Sequence, residues 1–138
     1  MADISQKVER NVAQLDESKS VMDAARLMVD RYIGSVVVTR HQTIAGIFTE
    51  RDLMRIVARG DDVSAIKLKS AMSENLIRVR PDDSVEDCLA SMRANRCRHL
   101  MVFDDADFIG IVSLRDLAMV MLDEKETLIA QLTDYITG

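Results

Sequence analysis

An internal repeat constrains the fold of this 138-residue chain more than any other feature. Residues 46–53 read GIFTERDL, and residues 110–117 read GIVSLRDL, an offset of 64 residues. The same offset, applied without gaps from residue 12 to residue 59, gives ten identities in 48 positions, where average residue usage predicts about three. The repeat indicates a tandem duplication, in which two copies of one supersecondary unit bury faces that neither could bury alone.

Each copy carries the same succession of predicted elements. Apolar strand segments at 12–15, 36–39 and 44–48 return at 76–79, 100–103 and 108–112. Helices are predicted after Ser20 and Ser84, where apolar residues recur at helical spacing, and again after Thr49 and Ser113. Polar turns join the last two strands of each copy. We therefore predict an α/β (α+β) fold of two β-α-β-β-α repeats, packed sheet to sheet about a pseudo-twofold axis.

The repeat predicts two domains, at residues 1–62 and 63–122, followed by a helical extension over residues 123–138. Within this tail Leu128, Leu132 and Tyr135 continue the helical spacing of Met121. Such an amphipathic helix can fold back on its own module, or it can clamp a second subunit.

Composition argues against several classes of protein. A net charge of −5 and a pI near 5.0 disfavour a nucleic-acid partner, which normally meets a basic surface. The longest uninterrupted apolar run, residues 117–122, is far shorter than a membrane span requires. The N-terminus lacks the basic and apolar regions of a signal peptide. We expect a soluble, cytoplasmic protein with no membrane partner.

Catalytic and metal chemistry find little support in the sequence. Cys88 lies among apolar residues at helical spacing, so we expect it and Cys97 to be reduced thiols rather than a disulfide or a metal pair. Only two histidines could complete a metal site: His41 is predicted in a polar turn, and His99 at a strand start. No nucleophile–base set and no phosphate-binding P-loop are present. We expect neither an enzyme nor a metal site.

The most informative motif is Thr49-x-x-Asp52, repeated as Ser113-x-x-Asp116, where a strand leads into a helix. One interpretation is a capping box, in which the hydroxyl and the carboxylate satisfy free backbone amides. Ser20-x-x-Asp23 provides an internal comparison, because it matches the same pattern without an obvious ligand role, as does the segment starting at Ser84.

A binding interpretation rests on the surrounding residues. Gly46 and Gly110 precede the two motifs, and the missing Cβ allows another group to approach the backbone. A helix N-terminus suits a phosphate, and an acidic residue there can bind a ribose diol. Arg51 and Arg115 could pair with the phosphate. This combination predicts a nucleoside-phosphate site, present twice.

These residues also carry a family resemblance. The segments Gly46-Ile47-Phe48-Thr49-x-x-Asp52 and Gly110-Ile111-Val112-Ser113-x-x-Asp116 resemble the signature that closes each cystathionine-β-synthase-type (CBS) domain. Residues 76–85 and 98–104 resemble the opening and middle blocks of that family, and the resemblance covers residues 3–122. It implies a tandem CBS pair, often called a Bateman module, which is typically a regulatory sensor of adenine nucleotides or adenosyl ligands.

The resemblance implies two clefts, each shared across the pseudo-twofold axis. The first combines Thr49, Arg51 and Asp52 with Met72, Ile77, Cys97, Arg98 and His99. The second combines Ser113, Arg115 and Asp116 with Val8, Ala13, Ile33 and Gly34. The first copy departs from the family pattern at Glu17, where the second copy has Pro81. Gly34-Ser35 replaces Arg98-His99, so only one cleft gains that extra charge.

The resemblance also implies a homodimer, an adenine nucleotide (AMP, ADP, ATP or NAD) as regulatory ligand, and an effector protein that receives the signal. The alternative is a structural dimerisation or interaction module with empty or vestigial clefts. In that case Asp52 and Asp116 would serve as helix caps.

Overall fold

The computed structural model describes residues 3–137, with side chains up to Asp134. It contains two compact units, each with one three-stranded sheet. The first unit comprises Asn11–Leu76, and the second joins the segment ending at Arg10 to the residues from Ile77 onward. The predicted α/β class and the duplication are both confirmed.

The first unit opens with a short strand and ends with a short helix. Its elements are β1 (Gln14–Asp16), α1 (Val21–Arg31), β2 (Ser35–Arg40), β3 (Thr43–Thr49), α2 (Glu50–Arg59) and α3 (Leu68–Ala71). In the sheet, β1 pairs parallel to the central β2, and β2 pairs antiparallel to β3. The sequence patterns predict every one of these elements except α3, a helix of only four residues.

The second unit repeats this topology. A 3₁₀ turn at Ser5–Lys7 belongs to it, and its further elements are β4 (Arg78–Val79), α4 (Val85–Asn95), β5 (His99–Asp104), β6 (Asp107–Ser113) and α5 (Leu114–Thr137). β4 pairs parallel to β5, which pairs antiparallel to β6.

Equivalent helix faces form the two cores. In the first unit Val21, Ala24 and Met28 of α1 pack with the buried residues of β2 and β3. In the second unit Val85, Cys88 and Met92 of α4 do the same against β5 and β6. The predicted apolar spacing therefore marks the buried faces. Each fully buried aliphatic side chain contributes about 1.5–3 kcal/mol relative to exposure.

The opening segment of each repeat, residues 3–10 in the first and residues 63–76 in the second, belongs to the compact unit that the other repeat mainly forms. Glu9 forms a two-way backbone bridge with Ile111 (2.8 and 3.1 Å), whereas Ser73 forms the equivalent bridge with Ile47 (3.0 and 2.9 Å). The predicted domain boundary at residues 62 and 63 follows the sequence repeat. The compact units instead divide after Arg10 and after Leu76, because these bridges hold each opening segment to the other copy's strand.

The C-terminal tail continues α5 as one helix of 24 residues. All side chains from Asp123 to Asp134 are exposed, including Leu128, Ile129 and Leu132. Over this stretch the tail does not pack back on its own unit. The side chain of Tyr135, part of the predicted apolar stripe, lies outside the described residues.

Both cysteines are free. Cys88 is fully buried, and this burial, with the nearby charges of Asp83 and Asp87, raises its thiol pKa to about 11. Burial also raises the pKa of the partly buried Cys97. Within residues 3–137, no helix has the length and apolar character needed to cross a membrane.

Candidate functional site

Both predicted motifs lie at direct strand-to-helix junctions. β3 ends at Thr49 and α2 begins at Glu50; β6 ends at Ser113 and α5 begins at Leu114. The backbone of Thr49 is extended (φ −115°, ψ 164°), as is usual for an N-cap residue. Each junction therefore places a hydroxyl and, three residues later, a carboxylate at a helix N-terminus.

A complete capping box forms at both junctions. The Thr49 N–H donates to Asp52 Oδ2 (2.9 Å), and the Asp52 N–H donates to Thr49 Oγ1 (3.3 Å). The corresponding distances at Ser113 and Asp116 are 2.9 and 3.1 Å. Each hydroxyl also donates to the same Oδ2, at 3.1 Å for Thr49 and 2.8 Å for Ser113. The capping interpretation is confirmed, and every hydrogen bond that the Asp52 and Asp116 carboxylates accept in these boxes uses Oδ2.

The comparison motifs behave in part the same way. Ser20 and Asp23 form a complete box at the start of α1, with both bonds at 3.0 Å. Ser84 accepts from the Asp87 N–H at 3.1 Å. Since a box also forms at α1, the four-residue pattern by itself does not distinguish a ligand site from a helix cap.

The chain itself approaches the two motif glycines. A Cβ built on Gly46 would lie 2.6 Å from the Ser73 carbonyl oxygen and 2.8 Å from the Met72 sulfur. A Cβ built on Gly110 would overlap the Glu9 carbonyl. The expected close approach is present, and its physical reason is the pair of backbone bridges formed by the exchanged opening segments.

A cavity of about 370 Å³ lies beside Asp52 within the first unit. α2 lines one side of it, and residues from the 61–71 segment line the other. The lining residues are Asp52, Arg55, Ile56, Arg59, Asp61, Ile66, Ser70 and Ala71. Its volume falls in the lower part of the range typical of small-molecule sites, about 300–1,000 Å³.

Arg55 and Arg59 are not among the site residues predicted from the sequence. They follow Asp52 by three and seven residues, so the three side chains share one face of α2. The Arg55 guanidinium lies 3.7 Å from Asp52 Oδ1. This helical spacing is the signal that could have identified them. The predicted phosphate ligand Arg51 is exposed and is not among the residues that line the cavity.

Two of the predicted apolar contacts lie beside the expected motif. Met72 is buried in the core of the first unit and its side chain would contact a Cβ at Gly46. Val8 has the equivalent position in the second unit, next to Gly110. Each of these residues therefore belongs to the same unit as the motif with which it was grouped.

The other predicted contacts belong to the opposite unit from their expected motif. Ala13, Ile33 and Gly34 lie in the first unit, and Ile77, Cys97, Arg98 and His99 lie in the second. Within their own unit, three of these residues contact the strand–helix junction. The Glu50 N–H donates to the Gly34 carbonyl at 3.0 Å, and the Leu114 N–H donates to the Arg98 carbonyl at 2.8 Å. His99 pairs directly with Ser113 across the sheet.

Comparison with known proteins identifies the family. The family model described as CBS domain matches residues 2–59 and again residues 63–123. The mitochondrial CBS domain-containing protein CBSX3 of Arabidopsis thaliana is 34% identical over 125 residues, which cover 86% of this chain and 61% of that relative. The chain thus spans about three fifths of the length of this relative.

Solved structures show the same fold. A protein with CBS domains from Burkholderia ambifaria MC40-6 superposes with a TM-score of 0.84 at 30% identity, covering 88% of this chain and 95% of that one. The CBS domain pair of protein MJ0100, in complex with 5′-methylthioadenosine and S-adenosyl-L-methionine, superposes with a TM-score of 0.80 at 18% identity, covering 90% and 98%. This chain belongs to the CBS domain family and carries two CBS domains in tandem, the arrangement called a Bateman module.

Proposed function

We propose that this chain is a cytoplasmic regulatory module that binds an adenine nucleotide, of the AMP, ADP, ATP or NAD type, and transmits binding as a conformational or oligomeric change. The ligand favours one arrangement of the protein only through its differential affinity for that arrangement. The role is regulatory rather than catalytic, and the signal passes to an effector protein.

The main support for the proposal is that the two oxygens of the Asp52 carboxylate have different partners. Oδ2 accepts the hydrogen bonds from Thr49 at the start of α2, whereas the one contact of Oδ1 with the described residues is the 3.7 Å ion pair with Arg55. The same residue lines the cavity of the first unit. An ionised carboxylate with one oxygen available can accept hydrogen bonds from a ribose diol without losing its capping role.

The ligand class is supported by the protein family. The same fold in protein MJ0100 holds two adenosyl compounds. In this chain, we propose that Asp52 and Asp116 bind ribose and that Thr49, Ser113, Arg51 and Arg115 lie near phosphate. The remaining predicted contacts stay part of the proposal; Met72 and Val8 have the strongest support, since each lies beside a motif glycine.

Self-association is proposed on the basis of exposed apolar side chains. In the first unit Tyr32 is 94% exposed, Val29 73%, Met54 68% and Val57 60%. Val29 and Tyr32 lie at the end of α1, and Met54 and Val57 lie on α2, a helix in contact with α1. Large exposed apolar side chains of this kind are typical of a protein interface. We propose that a second copy of this chain covers them in a homodimer, whose mass in solution light scattering can measure.

Calorimetric titration and thermal unfolding with AMP, ADP, ATP, NAD and S-adenosyl-L-methionine test the nucleotide proposal. Ligand at one hundred times its Kd should stabilise the folded protein by about 2.7 kcal/mol. Asp52→Asn should weaken binding by about 1.5–3 kcal/mol at that junction, because a charged acceptor of ribose hydrogen bonds is lost. Asp116→Asn tests the other junction in the same way.

Asp23→Asn provides a matched control, since Asp23 forms the same capping box at α1. This variant should change nucleotide affinity little while affecting its helix cap, an interaction typically worth about 1 kcal/mol of stability. The alternative function is a structural interaction module, and the complete capping boxes favour it as the second candidate. If the Asp52 and Asp116 variants lose stability but keep their nucleotide affinity, that alternative is correct.

A further inference from the structure

The cavity of the first unit is lined by charged side chains to which the proposed binding of ribose by Asp52 assigns no role. Arg55 and Arg59 line it together with Asp52 and Asp61, so the charged groups sum to zero. Ile56 is 7% exposed and anchors this face of α2 to the core, so the neighbouring Arg55 and Arg59 are held at the cavity. A bare anion would meet two carboxylates here. A ligand that bears both hydroxyl groups and phosphate could satisfy the carboxylates and the guanidinium groups at once.

The two arginines form few ion pairs with the described residues of the protein. The only ion pair that Arg55 forms with a described residue is the 3.7 Å contact with Asp52, and the Arg55 side chain is 62% exposed. Arg59, in the last turn of α2, forms no ion pair with any described residue. Both guanidinium groups are therefore free to bind phosphate oxygens, a geometry that arginine suits because it can donate two parallel hydrogen bonds.

The second repeat lacks arginine at both equivalent positions. The 64-residue offset places Met119 at the position of Arg55 and Asp123 at that of Arg59. Asp123 instead pairs with Lys7 at 3.8 Å. The backbone differs as well, because α2 ends at Gly60 with a left-handed φ of 78°, whereas α5 continues through the equivalent Glu124. In the second unit the segment equivalent to Leu68–Ala71 is Ile4–Lys7, which carries Lys7 at the position of Ala71.

We infer that the first unit binds the phosphate groups of its ligand through Arg55 and Arg59, with a sugar hydroxyl on Asp52. In the first unit, phosphates would then lie along α2 toward its C-terminus, and this position replaces the one proposed above near Thr49 and Arg51. The inference rests on the proposed nucleotide function for the identity of the ligand. It makes the first unit selective for phosphorylated ligands, and it gives the two units unequal ligand preferences.

The test compares adenosine, AMP, ATP and ribose 5-phosphate by calorimetry, in the wild-type chain and in the double variant Arg55→Met, Arg59→Gln. Methionine is the residue at the equivalent position of the second repeat. AMP and ATP should bind the wild-type first unit roughly tenfold or more tightly than adenosine, the effect of gaining charge-assisted hydrogen bonds. The double variant should lose this gain and bind adenosine as the wild type does. The control variant Arg31→Gln, Arg93→Gln removes the same two positive charges at the exposed ends of α1 and α4.

The outcomes separate this inference from the nucleotide proposal. If nucleotides bind but the gain from phosphate persists in the double variant, the inference is overturned and the nucleotide function stands. If nucleotides do not bind but ribose 5-phosphate does, with loss in the double variant, the inference stands and the adenine assignment fails. If neither nucleotides nor ribose 5-phosphate bind, the inference is overturned as well. Circular dichroism verifies that the double variant at Arg55 and Arg59 and the charge-control variant are both folded.

Discussion

Single side chains at the strand–helix junctions combine a structural role with an available binding group. Asp52 caps α2 through Oδ2, and Asp116 caps α5 in the same way. A capping bond contributes about 1 kcal/mol, so the acidic residue would be stabilising even without a ligand. Asp52 also lines the cavity of the first unit, of which Asp23, the cap of α1, is not a lining residue.

The motif glycines give a prediction at the same scale. Gly110→Ala and Gly46→Ala should each destabilise the protein by about 1–3 kcal/mol, because the new methyl group would press on the backbone of an exchanged segment. Gly34→Ala is the control: its methyl group would meet only the end of the flexible Glu50 side chain, at 3.3 Å. Urea unfolding measures all three. Equal effects at all three positions would contradict the backbone-contact explanation.

Glu17, where the first repeat departs from the second, has a structural reason. Arg40 Nε donates to both Glu17 carboxylate oxygens at 2.9 Å, and this hydrogen bonding lowers the Glu17 pKa. In the second unit Arg80 instead contacts Asp104 and Asp105 of the equivalent hairpin. Both units thus tie the loop after their first strand to a hairpin, with the charges reversed. Such exposed pairs contribute little to stability.

Among the elements, α2 and α5 show how equivalent sequences diverge. Both begin at a capping box, and both bury one apolar face. Gly60 ends α2 with a left-handed residue, a common helix stop. Its counterpart Glu124 favours helix, and α5 runs on to Thr137. After this turn the 61–71 segment lines the cavity beside α2, whereas α5 continues into an exposed helical tail.

Removing residues 126–138 tests whether the tail packs on its own unit. The deletion should change the free energy of unfolding by no more than about 0.5 kcal/mol, because the side chains removed are exposed where described. Leu117→Ala, at a fully buried position of the same helix, should cost about 2–5 kcal/mol. Urea unfolding at low protein concentration compares them. A deletion as costly as Leu117→Ala would show that the tail packs back.

On the scale of the whole molecule, each compact unit contains the opening segment of the other repeat. Ile4 is fully buried in the core of the second unit, far from it in the chain, and its N–H donates to the Asp83 carbonyl at 3.2 Å. Its repeat equivalent, Leu68, is fully buried in the core of the first unit. Truncating one copy's opening segment should therefore weaken the other copy's fold.

Ile4→Ala and Leu68→Ala form a matched pair for hydrogen exchange. Each should cost about 2–5 kcal/mol of stability in the core that it lines. Ile4→Ala should speed amide exchange first in β5 and β6, and Leu68→Ala first in β2 and β3. Faster exchange in β2 and β3 of the Ile4 variant, with β5 and β6 unchanged, would refute the exchanged arrangement.

Local patterns in the sequence determined the elements and the duplication. Apolar spacing identified the buried faces of α1 and α4, and polar turns placed the two hairpins, because these signals depend on residues close together in the chain. The Thr49 and Ser113 motifs identified the strand–helix junctions for the same reason. A four-residue helix such as α3 carries too short a pattern to be recognised.

Tertiary structure alone decided which unit each opening segment joins and which side chains meet at the cavity. Glu9 pairs with Ile111, and Ser73 pairs with Ile47, through backbone groups. Because every residue has these groups, no side-chain pattern in the sequence predicts the exchange. Arg55 and Arg59 look like ordinary exposed helix residues until the turn at Gly60 brings the 61–71 segment opposite them. Long-range contacts of this kind depend on how the chain packs, and local spacing does not encode them.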